Sequence, residues 1–217
     1  MKLNQYIDHT NLKPTATQKN IIQLCQEAIE LDFQSVCIAP YYLDIAKKEL
    51  RGSKVKLCTV IGFPFGYDHV ATKMVAISKA INGDADELDI VINLSAVKNK
   101  DWATVENEID SITTVTKLKG NKVLKLILET AYLNREELER LCNLCIKSNV
   151  DFAKTSTGYA PTGANLEDVV FMKSVLGDKV AIKASGGIKD SKFAKELIEA
   201  GATRLGTSSG IKIIQGL

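Results

Sequence analysis

The chain has 217 residues, 45% of them apolar and 25% charged, which suits one globular domain with a sizeable core. A formal net charge of +2, with no long run of like charges, argues against a nucleic-acid surface or a charged tail. The apolar runs are short and broken by charge, and the start MKLNQYIDHT has neither the apolar stretch nor the cleavage pattern of a signal peptide. The expectation is a cytoplasmic protein with no membrane and no nucleic-acid partner.

Strand-like apolar runs alternate with helical patterns along the whole chain. The first run is residues 6–9. Thr15-Ala16-Thr17-Gln18 then fits a capping box, ahead of a helix over residues 20–31 whose apolar positions are Ile21, Leu24, Cys25, Ala28 and Ile29. Further strands are expected at residues 35–39, 55–61, 87–92, 123–128, 152–155, 180–184 and 204–207. Several are apolar on both faces, as parallel strands covered by helices are. Asn134-Arg135-Glu136-Glu137 is a second capping signal, and Gly201 follows a helix over residues 192–200, where a C-terminal glycine belongs. Eight such units predict a single-domain (β/α)8 barrel over residues 1–217. The competing architecture is an open doubly wound sheet, against which no G-x-G-x-x-G follows the first strand.

The five cysteines are Cys25, Cys37, Cys58, Cys142 and Cys145, an odd number that argues against a disulfide framework. Cys142 and Cys145 form a C-x-x-C. They lie in a helical pattern beside Leu138, Leu141 and Ile146, and only His9 and His69 could complete a zinc set. Core packing is the better reading, and no metal is expected.

Three charged residues stand on strands where a barrel of this kind gathers its chemistry, near the C-terminal ends: Asp89, Lys154 and Lys183. Lys154 sits in the stretch DFAKTSTG, and Lys183 in VAIKASGGI. Alternation puts Lys154 on the face of Phe152 and Lys183 on the face of Ala181. If both point inward, their ammonium groups come close, and a neighbouring positive charge favours the neutral amine. A neutral lysine can attack a carbonyl to form a Schiff base, with a carboxylate such as Asp89 shuttling protons. A buried lysine–aspartate pair that only ties strands together explains the same spacing, and spacing does not choose between the two. Lys125, nearer the start of its strand, is expected to pair with a carboxylate and is a rival nucleophile.

The last two strands lead into Ser185-Gly186-Gly187 and Gly206-Thr207-Ser208-Ser209-Gly210, and the lysine strand into Thr157-Gly158. Glycines let backbone N–H groups approach an anion, and phosphate sites in this fold commonly follow the seventh and eighth strands. These segments point to a phosphorylated substrate.

The chain resembles the deoxyribose-phosphate aldolase family over nearly its whole length. The resemblance is carried by IDHTNL (residues 7–12), SVCIAP (35–40), IGFP (61–64), ELDIVIN (87–93), LKLILET (124–130), FAKTSTG (152–158), ASGGI (184–188) and GTSS (206–209). It implies a class I aldolase that reversibly cleaves 2-deoxy-D-ribose 5-phosphate to glyceraldehyde 3-phosphate and acetaldehyde, with no metal or organic cofactor, in deoxynucleoside catabolism. It further implies Lys154 as the Schiff-base lysine, Lys183 as the second lysine that perturbs it, and Asp89 as the acid–base aspartate. Gly158, Gly186, Gly187, Gly206, Ser208 and Ser209 fall where the family holds phosphate, and Asp8, Thr10 and Cys37 match pocket residues. A homodimer or homotetramer is the implied assembly.

Two departures stand out. Tyr159 follows the TSTG where some relatives carry a basic residue, so phosphate binding is expected to lean on backbone N–H groups and Lys189. Longer relatives end in a tyrosine that assists proton transfer, whereas this chain reads IKIIQGL over residues 211–217; a water or another side chain is expected to replace it. The rival functions are another Schiff-base sugar-phosphate aldolase in the manner of transaldolase, a non-catalytic phosphate-ligand barrel, and a phosphosugar isomerase or epimerase.

Overall fold

The computed structural model describes residues 2–216; Leu217, the last residue of the tail considered above, lies outside the described residues. Eight strands form a closed parallel barrel in sequence order: β1 (Ile7–Asn11), β2 (Ser35–Ile38), β3 (Lys56–Ile61), β4 (Glu87–Val91), β5 (Val123–Ile127), β6 (Phe152–Lys154), β7 (Ala181–Ser185) and β8 (Arg204–Thr207). Closure comes from β8 against β1, with Asp8 beside Gly206. The open doubly wound alternative is thereby excluded. The outer layer holds α1 (Gln18–Glu30), α2 (Leu43–Glu49), α3 (Val70–Asn82), α4 (Leu94–Lys98), α5 (Trp102–Leu118), α6 (Arg135–Lys147), α7 (Leu166–Leu176), α8 (Ser191–Glu199) and α9 (Gly210–Ile214).

Helix starts follow local side-chain chemistry. The capping box before α1 is built by Thr17 and Asn20, two residues later than the expected Thr15–Gln18 pairing. Asparagine replaces the usual acid at the third helical position, and its side-chain oxygen still accepts the Thr17 N–H. Before α6 the expected Asn134–Glu137 box is present. Cys142 and Cys145 are both fully buried on α6 within the main apolar cluster, as their packing pattern predicts.

Alternation divides each strand between two environments. One set, including Val36, Ile38, Leu88, Ile90, Leu124, Leu126, Ala153, Ile182 and Leu205, meets the helices and forms the large apolar core. The other set faces the barrel axis and is dominated by charge: Asp8, Glu87, Asp89, Lys125, Lys154, Lys183 and Arg204 are all buried and joined by ion pairs. The large apolar core therefore lies outside the barrel, and the interior holds a packed ion-pair lattice beside a small cluster of Cys37, Cys58 and Val60.

A second buried ion pair fixes the region after β3. Lys73 of α3 donates to Glu108 of α5 at 2.7 Å, to the Gly66 carbonyl at 2.6 Å and to the Val91 carbonyl at 2.7 Å. Glu108 also accepts the Asn93 N–H at 2.8 Å. Gly66, at φ 72°, packs so closely on β4 that an added Cβ would lie 1.8 Å from the Ile92 carbonyl oxygen. Removing one partner strands a charge that is out of water, which typically costs about 3–5 kcal/mol. Glu108→Gln is expected to lose stability on that scale in urea unfolding, and the Lys73→Met, Glu108→Leu double variant to lose clearly less than the two single losses combined.

Candidate active site

The β-sheet register sets the site. Asp89 is paired with Lys125 across β4–β5, and Lys154 with Lys183 across β6–β7. The side chains of these residues meet inside the barrel. Lys154 Nζ donates to Asp89 Oδ2 at 2.7 Å, and Lys183 Nζ to the same oxygen at 2.8 Å. Lys125 Nζ donates to Asp89 Oδ1 at 2.9 Å and pairs with Glu87 at 2.6 Å. Lys183 also donates to Asp8, whose other oxygen takes an Arg204 N–H at 2.6 Å. Arg204 bridges on to Glu87 at 3.1 and 3.2 Å.

This lattice holds three carboxylates, Asp8, Glu87 and Asp89, against four cations, Lys125, Lys154, Lys183 and Arg204. Burial alone would raise the Asp89 carboxyl, but Lys125, Lys154 and Lys183 outweigh it and hold the group well below the usual carboxylate range. Asp8 is held low in the same way, burial being overcome by Lys183, Lys125 and Arg204. Burial alone would lower Lys183 and Lys125. The carboxylates around them prevail, Asp8 and Asp89 for Lys183 and chiefly Asp89 for Lys125, and both ammoniums stand above the usual lysine range.

Lys154 occupies a different position from the other two lysines. Asp89 is its sole acidic partner among the described residues, and it shares that oxygen with Lys183. It also lines the main cavity, of about 540 Å³, at the C-terminal mouth of the barrel. Asp8, Cys37, Asp89, Lys125 and Lys183 are fully buried and do not line that cavity. The sequence-based expectation that Lys183 acts on Lys154 through direct repulsion is thus modified, because the Asp89 carboxylate stands between the two ammoniums. Lys125 pairs with carboxylates, as its position early in β5 predicts.

The remaining candidates divide. Thr10, Thr157, Gly158, Gly186, Gly187, Gly206, Ser208 and Ser209 all line the cavity, together with Lys189. The N–H groups of Gly158, Gly187 and Ser208 have no acceptor among the described residues, whereas Ser209 N–H is taken by the Thr207 hydroxyl at 2.9 Å. Thr10 turns its hydroxyl back to the Asp8 carbonyl at 2.8 Å. Cys37 lies beside Cys58 under Leu12 and Phe63, its sulfur 4.0 Å from Asp89. The neighbouring Cys58 thiol holds the Cys37 thiol below the usual range, against burial, while burial pushes the Cys58 thiol up. Cys37, Cys58 and Asp89 offer three potential ligand atoms within 4.8 Å of one another. They do not suit a cation, because the Asp89 oxygens are already taken by ammonium groups that would repel one.

Four features escaped the sequence reading. Glu87 and Arg204 complete the lattice, and nothing in a strand apolar on both faces marks which side is inward. Gly163 touches Gly186 so closely that an added Cβ would lie 2.2 Å from the Gly186 carbonyl oxygen, which clamps the loop after β6 onto the loop after β7. Glu129 adopts φ 56° and binds Thr157. Tyr159, noted only as a departure, donates its hydroxyl to the Leu12 carbonyl at 2.8 Å and meets the Phe63 ring edge-on at 5.4 Å, spanning the mouth.

Comparison with known proteins gives the family. The family model described as DeoC/LacD family aldolase matches residues 2–216, and the chain belongs to that family. Deoxyribose-phosphate aldolase from Thermococcus kodakarensis is 47% identical over 217 residues, covering 99% of this chain and 96% of its own. Deoxyribose-phosphate aldolase from Ureaplasma parvum serovar 3 is 50% identical over 213 residues, covering 98% of each chain. The solved structure of deoxyribose phosphate aldolase from Aeropyrum pernix, described as a unique tetramer, is 32% identical with a TM-score of 0.90, covering 98% of this chain and 89% of that one.

The two aspartates make the fold acid-sensitive. Their folded-state acidities lie below the unfolded value of about 3.9, so the stability they contribute is complete above that pH and is lost as pH falls towards the folded value. Unfolding free energy is expected to fall as pH drops below about 4, and to fall less steeply in a folded Asp89→Asn variant. Urea melts between pH 2 and 5 check this; equal slopes in the two proteins would contradict it.

Proposed function

We propose that this protein is a class I aldolase that reversibly cleaves 2-deoxy-D-ribose 5-phosphate into D-glyceraldehyde 3-phosphate and acetaldehyde through a Schiff base on Lys154. The observation that carries the reading is a cavity-facing lysine amine bonded to a carboxylate that two further lysines also hold. Membership of the aldolase family and the similarity to enzymes named deoxyribose-phosphate aldolase support the substrate.

The chemistry follows from the positions. The Lys154 amine, unprotonated for the step, attacks C1 of the open-chain sugar, and the carbinolamine loses water to give an iminium. The iminium draws electrons from the C2–C3 bond as the C3 hydroxyl loses its proton, and that bond breaks. Glyceraldehyde 3-phosphate leaves, and the two-carbon fragment remains as an enamine. Protonation at the former C2 and addition of water then release acetaldehyde and restore the amine. Asp89 takes and returns protons at Lys154, and Lys183 holds Asp89 and supplies the positive field that favours its ionised form. At the far end of the cavity the free N–H groups of Gly158, Gly187 and Ser208 and the Lys189 side chain receive the phosphate. Gly186, Gly206 and Ser209 line the same rim, Thr10 flanks the cavity, and Asp8 and Cys37 stand behind its wall, Asp8 on Lys183 and Cys37 beside Asp89.

The assembly is a homodimer or homotetramer in this reading, supported by the tetrameric Aeropyrum pernix relative. The exposed, stacked Phe65 and Tyr67 rings, 5.5 Å apart, offer an apolar contact. None of the described helices is long and apolar enough to cross a membrane, in keeping with a cytoplasmic role in deoxynucleoside breakdown.

Borohydride reduction in the presence of acetaldehyde tests the mechanism. One two-carbon adduct is expected on Lys154 by peptide mapping, with cleavage of deoxyribose 5-phosphate reduced about 10³-fold or more in Lys154→Ala. No adduct on the folded protein would return Lys154 to a structural role. An adduct on Lys125 or Lys183 would keep the reaction class and move the nucleophile. Lys183→Leu is expected to lose activity by about 10²–10⁴-fold, as removal of a proton-transfer partner does, in steady-state cleavage assays.

A further inference from the structure

We propose that Glu129 is a positioning residue for the phosphate end of the site, holding the loop after β6 so that the Gly158 N–H points into the cavity; this rests on the phosphosugar reading above.

The backbone around Glu129 is unusual. Backbone contact goes on past the end of β5, with the Leu128 N–H on the Lys154 carbonyl at 2.9 Å and the Thr130 N–H on the Thr155 carbonyl at 2.9 Å. The second contact falls one residue short of the regular parallel step, so Glu129 is bulged out between them and takes φ 56° and ψ 66°. A residue with a Cβ in that region costs on the order of 1–2 kcal/mol, and glutamate lacks the short polar side chain that lets asparagine or aspartate visit it. Such a conformation persists only where its surroundings impose it.

What the twist achieves is visible in the contacts. The Glu129 carboxylate is 2% exposed and has no cation within ion-pair distance among the described residues. Both of its oxygens accept the Thr157 N–H, at 3.1 and 3.2 Å, and one accepts the Thr157 hydroxyl. The Thr157 hydroxyl oxygen in turn accepts the Tyr159 N–H at 3.0 Å. The N–H groups on either side of Gly158 are thus consumed, one by Glu129 and the other by the Thr157 hydroxyl. The Gly158 N–H between them has no acceptor among the described residues, and Gly158, at φ 86°, lines the cavity. A buried acid without a cation is costly unless fully hydrogen-bonded. Here its bonds are spent on one loop residue, three positions beyond Lys154. Burial raises the Glu129 carboxyl above its usual range, the Thr157 bonds and the more distant Lys154 charge opposing it.

The test compares deoxyribose 5-phosphate with unphosphorylated 2-deoxyribose, and measures the Kd of inorganic phosphate by calorimetry. Glu129→Gln is expected to lower the kcat/KM preference for the phosphorylated sugar about tenfold and to weaken inorganic phosphate by a similar factor. Thr157→Val, which cuts the same tie from the other end, is expected to reproduce the loss, and Thr157→Ser to recover most of it. An unchanged preference and unchanged phosphate Kd, even with both substrates slowed, would reduce Glu129 to a structural residue and overturn the proposal. If Glu129→Gln does not fold, the Thr157 pair decides. If the wild-type protein cleaves no deoxyribose 5-phosphate, the aldolase reading fails, while the phosphate Kd comparison still decides the role of Glu129.

Discussion

Asp89 carries one negative charge and accepts hydrogen bonds from three ammonium groups, Lys125 on one oxygen and Lys154 and Lys183 on the other. None of these groups reaches bulk water well, so their mutual geometry replaces hydration. A carboxylate that must satisfy three cations cannot be displaced without leaving charge unpaired, which fixes the inward rotamers of β4, β5, β6 and β7 together. The same contacts rank the three lysines. Lys125 has Glu87 in addition to Asp89, and Lys183 has Asp8, so each keeps a second acidic partner. Lys154 has only a shared oxygen, and it is the one that lines the cavity. Electrostatic scarcity and access to substrate coincide at the same amine.

Filling a barrel with ion pairs contributes little net stability, because desolvation consumes most of the Coulombic gain. The fold therefore depends on the apolar layer between strands and helices, where Ile, Leu and Val from the outward positions form the large cluster. This division of labour lets the interior serve chemistry. The inward residues can be selected for charge balance because the outward residues carry the packing.

That division also explains what a sequence alone reveals. Strands β3 and β8 stand out as apolar runs closed by turn signals, and the helices α1 and α6 by their apolar period and caps. Lys154 and Lys183 are conspicuous as lysines inside such runs, near small-residue loops. Glu87 and Arg204 sit at the first positions of their strands, where a charge reads as a strand boundary; only barrel closure makes them face one another. The α1 box is Thr17–Asn20 rather than Thr15–Gln18 because the helix starts at Gln18, which puts Thr17 at the cap and Asn20 at the third helical position. Glu129 was invisible for a different reason: no propensity places glutamate in a left-handed conformation, so only tertiary contacts could reveal it.

The loops after β6 and β7 connect the lattice to the cavity. Gly163, Gly158 and Gly186 pack backbone to backbone, with an added Cβ on Gly186 lying 3.0 Å from the Gly163 Cα and 3.3 Å from the Gly158 Cα. Contact this close leaves no slack between the segment that follows Lys154 and the segment that follows Lys183. From the other side, Ser185 N–H bonds to the Thr155 hydroxyl at 3.1 Å, and the Ser185 hydroxyl to the Ser156 carbonyl at 2.5 Å. The two lysines and the two glycine loops thus form one rigid unit, in which a shift of an anion on the loops would be transmitted to the amine through backbone rather than flexible side chains. Reactions that need a carbonyl carbon placed within bonding distance of one nitrogen gain most from such stiffness, and it is a reason for glycine rather than longer side chains to line the far end of this cavity.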